Sequence, residues 1–326
     1  MVKPVSKLVP VLTLLLMAAI GWVMVVLFSP AAEKPLRIGT NVWPGYEHLY
    51  LARELGYLDS DQHHLVELSS ASQVSDALRQ GTLEAAALTL DEVLTLLEQG
   101  VELTVVLVLD YSAGGDVLLA HPQIGALSDL KGKQIAVETG AVGAVLLDGA
   151  LQAGGLQSDD VELIECAAGN HLHCFDSVDA VVTFEPARSQ LLEKGARLLF
   201  DSSQIPGRIM DVLVVKREWL GRGSGQIEAL LQAYFKARHY WQQEPLRAAE
   251  LMAPRLGVAN DRVAELFDGL ILATLAENRE LLAYPDGQLL KLADELAALM
   301  VERRLLASKP ETSYLSSGQF LPGMVR

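Results

Sequence analysis

The residues best placed to do chemistry in this chain are carboxylates and aromatics next to short β-like runs. Asp91, Asp110, Asp116, Glu138, Glu185 and Asp211 each fall near the end of such a run. Trp43 and Tyr46 bracket a Pro-Gly pair in NVWPGYEHLY, where a strand hands over to a helix. Two carboxylates beside those aromatics would favour a cationic or amine-bearing ligand, because carboxylates and ring faces both attract cations. An oxyanion would ask for Arg, Lys or bare N–H groups, and Arg188 and Arg208 are the nearby cations. The same stretch also reads as a tight turn in which two aromatics pack.

Other candidates carry two readings each. ETGAVG contains Thr139, Gly140 and Ala141, a small-residue loop at a helix start whose backbone N–H groups would meet a ligand acceptor or simply cap the helix. It has neither the GxGxxG spacing nor the GK[ST] of nucleotide loops. Glu185 in TFEP either points into a cleft or serves the N-terminus of the helix that follows. Asp91, beside Thr89 in TLDE, has the same ambiguity, and Asp116 and Asp211 either meet a ligand or brace chain crossings. Ser112 also follows a strand-like run. Cys166 and Cys174 flank GNHLH; they read as a disulfide or two idle thiols, and a metal reading with His171 and His173 matches no common zinc spacing. With no GxSxG elbow and no HExxH, nothing assembles a catalytic site, and the residues ask for no metal and no cofactor.

The elements that must hold these residues alternate. LRIGTNV, HLVELS, AAALT and LTVVLVL read as strands, with EHLYLAREL, VSDALRQG and LDEVLTLLEQG as helices between them. That alternation predicts an α/β fold with mostly parallel sheets flanked by helices. A glycine-rich stretch, DYSAGGDVLLAHPQIG, opens a second set of strands. From Gln226 the chain reads as nearly all helical, including DRVAELFDGLIL. The expected organisation is an anchor or uncleaved signal over 1–32, lobe one over 33–112 and 208–326, and lobe two over 113–207. The chain would cross between lobes twice, near Tyr111–Asp116 and Ile205–Asp211, as hinge closure around a ligand requires.

Leu8 to Phe28 carries no charge and would span about 30 Å as a helix, the thickness of a bilayer core. An uncleaved inner-membrane anchor and a cleaved export signal both fit, and both send the remainder to the periplasm. The 326 residues are 50% hydrophobic, so a sizeable core is available and disorder is not expected. A net charge of −15 argues against nucleic acid as a partner.

RIGTNVWPGYEHLYLARELGYLD, SDLKGKQIAVETGAVG and VDAVVTFEPARSQLLEKGARLLFDSSQIPG, followed by DVLVV, occur in that order between about Leu36 and Leu220. Together they resemble the periplasmic solute-binding proteins of ABC transporters, of the nitrate, sulfonate, taurine and thiamine-pyrimidine type. The resemblance implies a two-lobed type II periplasmic-binding-protein fold with a two-crossover hinge, and a small-molecule ligand delivered to an ABC permease and its ATPase. It implies cleft positions at Trp43 and Tyr46, at Thr89 and Asp91, and at Thr139, Gly140 and Ala141. Two departures stand out: the anchor-like N-terminus, and CAAGNHLHCF where a more regular helix is expected. A tethered protein of this kind would alternatively serve a membrane signalling receptor. A related fungal-type branch makes thiamine pyrimidine with a cysteine-rich iron-associated motif; Cys166 and Cys174 do not reproduce it, so no enzymatic activity is expected.

Overall fold

The computed structural model describes Met17, residues 34–140 and residues 142–323. The chain divides into two compact units, Met1–Pro35 and Leu36–Arg326, and the second contains all the elements below. The apolar run Leu8 to Phe28 lies, Met17 apart, outside the described residues. Among the described residues no helix is long and apolar enough to cross a membrane.

Among the described residues eleven strands build two sheets. They are β1 (Leu36–Thr40), β2 (His63–Glu67), β3 (Ala85–Thr89), β4 (Leu103–Ser112), β5 (Val117–Ala120), β6 (Gln134–Val137), β7 (Glu162–Glu165), β8 (Ala180–Thr183), β9 (Arg197–Asp201), β10 (Met210–Lys216) and β11 (Leu270–Leu272). The helices are α1 (Glu47–Glu54), α2 (Ala71–Arg79), α3 (Leu90–Glu98), α4 (Gly143–Ala153), α5 (His171–Cys174), α6 (Ala187–Glu193), α7 (Trp219–Arg222), α8 (Ser224–Gln243), α9 (Pro245–Leu256), α10 (Leu275–Leu281) and α11 (Gln288–Glu302). The first sheet has the order β11-β4-β10-β3-β1-β2 and the second β7-β6-β8-β5-β9. This is an α/β, two-lobed periplasmic-binding-protein fold.

The sheets are mixed rather than mostly parallel. Pairs β1–β2, β1–β3, β6–β7 and β6–β8 are parallel, but β10 runs against both β3 and β4, and β5 against both β8 and β9. The reason is the connectivity. β4 and β9 each end at the boundary between lobes, and the chain passes straight into the other sheet, so β5 and β10 start where their neighbours finish.

The two crossings are fastened side by side. Ser112 N donates to Ile209 O (3.1 Å) and Ser202 N to Asp116 O (2.9 Å). The hydroxyls of Ser112 and Ser202 lie 2.8 Å apart, and Gly114 N donates to the latter at 2.7 Å.

Strands β3 and β5 are buried along their whole length, as expected of strands covered on both faces. In β5, Leu118 and Ala120 enter one core with α4, while Val117 and Leu119 enter another with Phe175 and Leu191. That split is the two-residue period of a strand.

One expectation is corrected here, and the two cysteines take the disulfide reading. DRVAELFDGLIL is not a helix: it forms short 3₁₀ turns at Asn260–Arg262 and Ala264–Phe267, then strand β11. β11 pairs with the last residues of β4 and covers an edge that would otherwise be open. The segment from Cys166 to Ser177 is broken into 3₁₀ turns around the four-residue α5, and a disulfide joins Cys166 to Cys174.

Candidate functional site

Pro44–Tyr46 forms a 3₁₀ turn directly after β1 and leads into α1. It buries Trp43 and Tyr46 and aims both at acids of the sheet. Trp43 Nε1 donates to Asp110 Oδ2 at 3.4 Å, and the Tyr46 hydroxyl donates to Asp211 Oδ1 at 2.5 Å. Asp110 and Asp211 are register partners across β4 and β10, so their carboxyls are neighbours. Gly45 is required for this approach, because a Cβ there would stand 1.9 Å from Asp110 Oδ2. Gly115, at the first crossing, admits the far edge of the Trp43 ring, which a Cβ would meet at 2.9 Å.

Burial makes these carboxyls hard to ionise. It pushes Asp110 up to about 8 and Asp211 well above the usual carboxylate range, the latter with help from the charge of Asp110. Burial likewise raises Asp116 to about 7, and raises Glu92 to about 8 with a contribution from Asp91. Burial also lifts the Tyr46 phenol well above its ordinary value, with Asp211 adding to it.

A cavity of ≈ 30 Å³ of space for water-sized centres, room for one or two waters, lies between the sheets. The first lobe supplies Asn41, Trp43, Tyr46, Ala71, Thr89, Glu92 and Asp211, and Asp116 comes from the first crossing. The second supplies Glu138, Val142, Gly143, His171, Val182 and Phe184. No Lys or Arg is among these lining residues. Trp43 and Phe184 meet edge to face across the cavity, with centroids 5.6 Å apart.

Two glutamates tie the halves together in reciprocal fashion. Glu92 of α3 accepts from Thr89 N (2.9 Å) and reaches over to Val142 N (3.3 Å). Glu138, after β6, accepts from Ala168 N (3.2 Å) and reaches back to Ser72 N at the start of α2 (2.9 Å).

A neighbouring chamber of ≈ 470 Å³ shares Asn41, His171 and Phe184 with the inner cavity. Arg255 lines it, held by ion pairs to the buried Glu47 and to Glu67 (2.6 Å). His171 is buried between Thr183 Oγ1 (3.0 Å) and Cys166 O (3.3 Å).

The sequence-predicted residues therefore separate. Trp43, Tyr46, Thr89, Asp116 and Asp211 line one cavity. Asp91 is buried just behind it, its Oδ1 without a hydrogen-bond partner, and Glu92 takes the lining position instead. Thr89-x-x-Glu92 is a capping-box spacing, which folds the Glu back to the strand end; that signal was available. Ser112 fastens the crossings rather than facing the cavity. Thr139 and Gly140 are exposed, and Thr139 bonds Glu165. The residues on either side, Glu138, Val142 and Gly143, do the lining, and Ala141 lies outside the described residues. Glu185 turns away into the outer chamber, where it pairs with Arg188 (2.7 Å) and accepts from Ser189 N (3.2 Å) at the start of α6. Phe184 faces the cavity in its place, in step with Val182 two residues earlier.

A family model described as the NMT1-like family matches residues 29–256. No curated protein sequence matches this chain. Among solved structures, the periplasmic aliphatic sulphonate binding protein SsuA of Escherichia coli is 20% identical, with a TM-score of 0.70 over 89% of this chain and 99% of that one. The alkanesulfonate-binding SsuA of Xanthomonas axonopodis pv. citri, bound to MOPS, is 20% identical, with a TM-score of 0.71 over 88% and 98%. The ligand binding component of an ABC-type import system from Staphylococcus aureus, with zinc bound, is 14% identical, with a TM-score of 0.72 over 90% and 99%. At these identities the likeness is one of fold.

Proposed function

The chain belongs to the NMT1-like family, and on that premise we propose that it is an envelope solute-binding protein for a small, cationic, nitrogen-containing organic ligand. In this reading residues 33–112 and 208–326 form one jaw and 113–207 the other. They close on the ligand and present it to an ABC permease in the inner membrane, with residues 1–32 as the tether. The protein binds and releases its ligand unchanged. Docking on a membrane receptor instead of a permease would use the same cleft.

One observation carries the choice of ligand. Glu92, Asp116, Glu138 and Asp211 line the cavity, and no Lys or Arg lines it with them. Glu92 and Glu138 spend their oxygens on backbone N–H groups, which leaves Asp116 and Asp211, with Asp110 directly behind, to meet a cation. Trp43, Tyr46 and Phe184 add ring surface around the same space, which suits an organic cation once the jaws part to admit it. The second reading is an oxyanion held by neutral carboxyl groups acting as donors, and the raised Asp110, Asp116 and Asp211 favour it at low pH.

Calorimetry of the full-length protein with amines, aminopyrimidines, alkanesulfonates and nitrate at pH 6 and pH 8 separates the two. The proposal expects amine or aminopyrimidine binding that tightens at pH 8. Tight sulfonate or nitrate binding that weakens at pH 8, with no amine bound at either pH, overturns it.

A further inference from the structure

The last residues of β4 back the cleft; a second opening is lined from the first. Thr104 to Asp110 spans roughly 20 Å of strand, so this opening lies at the far pole of the same sheet. It has a volume of ≈ 770 Å³, within the range of small-molecule sites. Its chemistry is the reverse of the cleft's. Arg217 and Arg279 line it and no Asp or Glu does, in a chain whose net charge is −15.

The arginines come with aromatic surface. Tyr284 and Tyr314 line the opening and are 61% and 60% exposed, among the large exposed hydrophobics of the described residues. The Arg217 guanidinium sits 5.5 Å over the Tyr314 ring. Its Nη1 makes a long contact of 3.3 Å to Glu102, a side chain 73% exposed, while its Nε is buried with no hydrogen-bond partner. Arg279 donates to Pro322 O at 2.7 Å. Ser316, 5% exposed, also lines the opening, and its hydroxyl has no hydrogen-bond partner. Buried donors are normally paired, so an unpaired guanidinium nitrogen and an unpaired hydroxyl on one opening point to an acceptor oxygen from outside the chain.

We propose that this groove is a second ligand site, separate from the cleft, for an aryl carboxylate. Its ring lies against Tyr284 and Tyr314, and its carboxylate faces Arg217, Arg279 and Ser316. Planar guanidinium suits a carboxylate, and tyrosine rings suit an aromatic body. A single site of this kind is consistent with modest affinity, because an exposed groove excludes little water.

The test titrates phenylacetate, 2-phenylethanol and acetate into the full-length protein and follows ligand signals by NMR. Phenylacetate is expected to saturate with a Kd near or below ~1 mM, and the alcohol and acetate to bind at least ~10-fold more weakly. Arg217→Gln should weaken phenylacetate by about 10-fold and Ser316→Ala by about 3-fold, while Asp211→Asn, which acts on the cleft ligand, should leave phenylacetate affinity where it was. If Arg217→Gln fails to fold, Ser316→Ala alone decides. Equal binding of phenylacetate and phenylethanol overturns the proposal, since the groove would then be merely apolar. So does phenylacetate binding that survives Arg217→Gln or Ser316→Ala and disappears with Asp211→Asn.

Discussion

The two lobes face the same cavity with different materials. The first lobe brings Asp211, with Asp110 behind it, each carboxyl held by an aromatic donor on one short turn. The second brings Val142, Val182 and Phe184, with Glu138 reaching back to the first lobe's backbone. One side is a seat of buried, proton-holding carboxyls and the other an apolar cover with a fastening. Selectivity and closure should therefore be separable by mutation, because the groups responsible sit on different sheets.

The largest effect is expected at the seat. Asp211→Asn keeps the shape and an acceptor for Tyr46 but removes the charge a bound cation would need. Affinity for a cationic ligand should fall about 100-fold by calorimetry, with little loss of thermal stability. A variant that binds normally would mean that the seat is not where discrimination occurs. On the cover, Phe184→Ala removes the edge-to-face partner of Trp43, and affinity should drop about 10-fold for charged and uncharged analogues alike. A loss confined to cations would break the division between seat and cover. The fastening should matter least. Glu138→Gln leaves one of its two backbone N–H partners facing an amide nitrogen, which should cost about 3- to 10-fold and enlarge the unliganded protein in small-angle scattering.

pH sharpens the same contrast. The raised carboxyls bind protons in the folded state at pH values where the unfolded chain has released them. Their contribution is thus fully present below the unfolded values near 4, and is lost as pH rises through about 6 to 8. The Tm of the unliganded protein should fall across that interval. A cationic ligand drives the protons off, so its affinity should rise by up to about tenfold per pH unit for each proton released. Asp110→Asn with Asp211→Asn should make both profiles shallower, whereas Phe184→Ala should leave both slopes intact.

Much of this arrangement is written locally. A Trp-Pro-Gly-Tyr turn after a strand, and acids at strand ends beside the crossings, point without any structure to the sheet edges that border the cavity. The differences between the predicted residues and those lining the cavity are of one residue. Glu92 rather than Asp91 lines the cavity because the capping geometry turns it inward. Phe184 rather than Glu185 does so because the backbone alternates, and the helix start claims the Glu. Glu138 rather than Thr139 lines the cavity because Thr139 is exposed and bonded to Glu165. The pairing of Asp110 with Asp211 was out of reach. It depends on β10 entering between β3 and β4 in one register, and residues some hundred positions apart carry no local mark of that choice. β11 was hidden for a related reason: its three residues are a strand only because β4 offers an edge.

The stitching of the crossings sets what kind of motion is available. A single linker would let one half swivel, tilt and slide over the other. Two linkers bonded to each other through Ser112, Ser202, Ile209 and Asp116 should favour bending about one axis over twist and translation. Each return of the second half then brings the same ring edge to the same ring face and the same amide to the same carboxylate. If the halves close as proposed, the backbone fixes their alignment and a ligand has only to supply the energy that keeps them together.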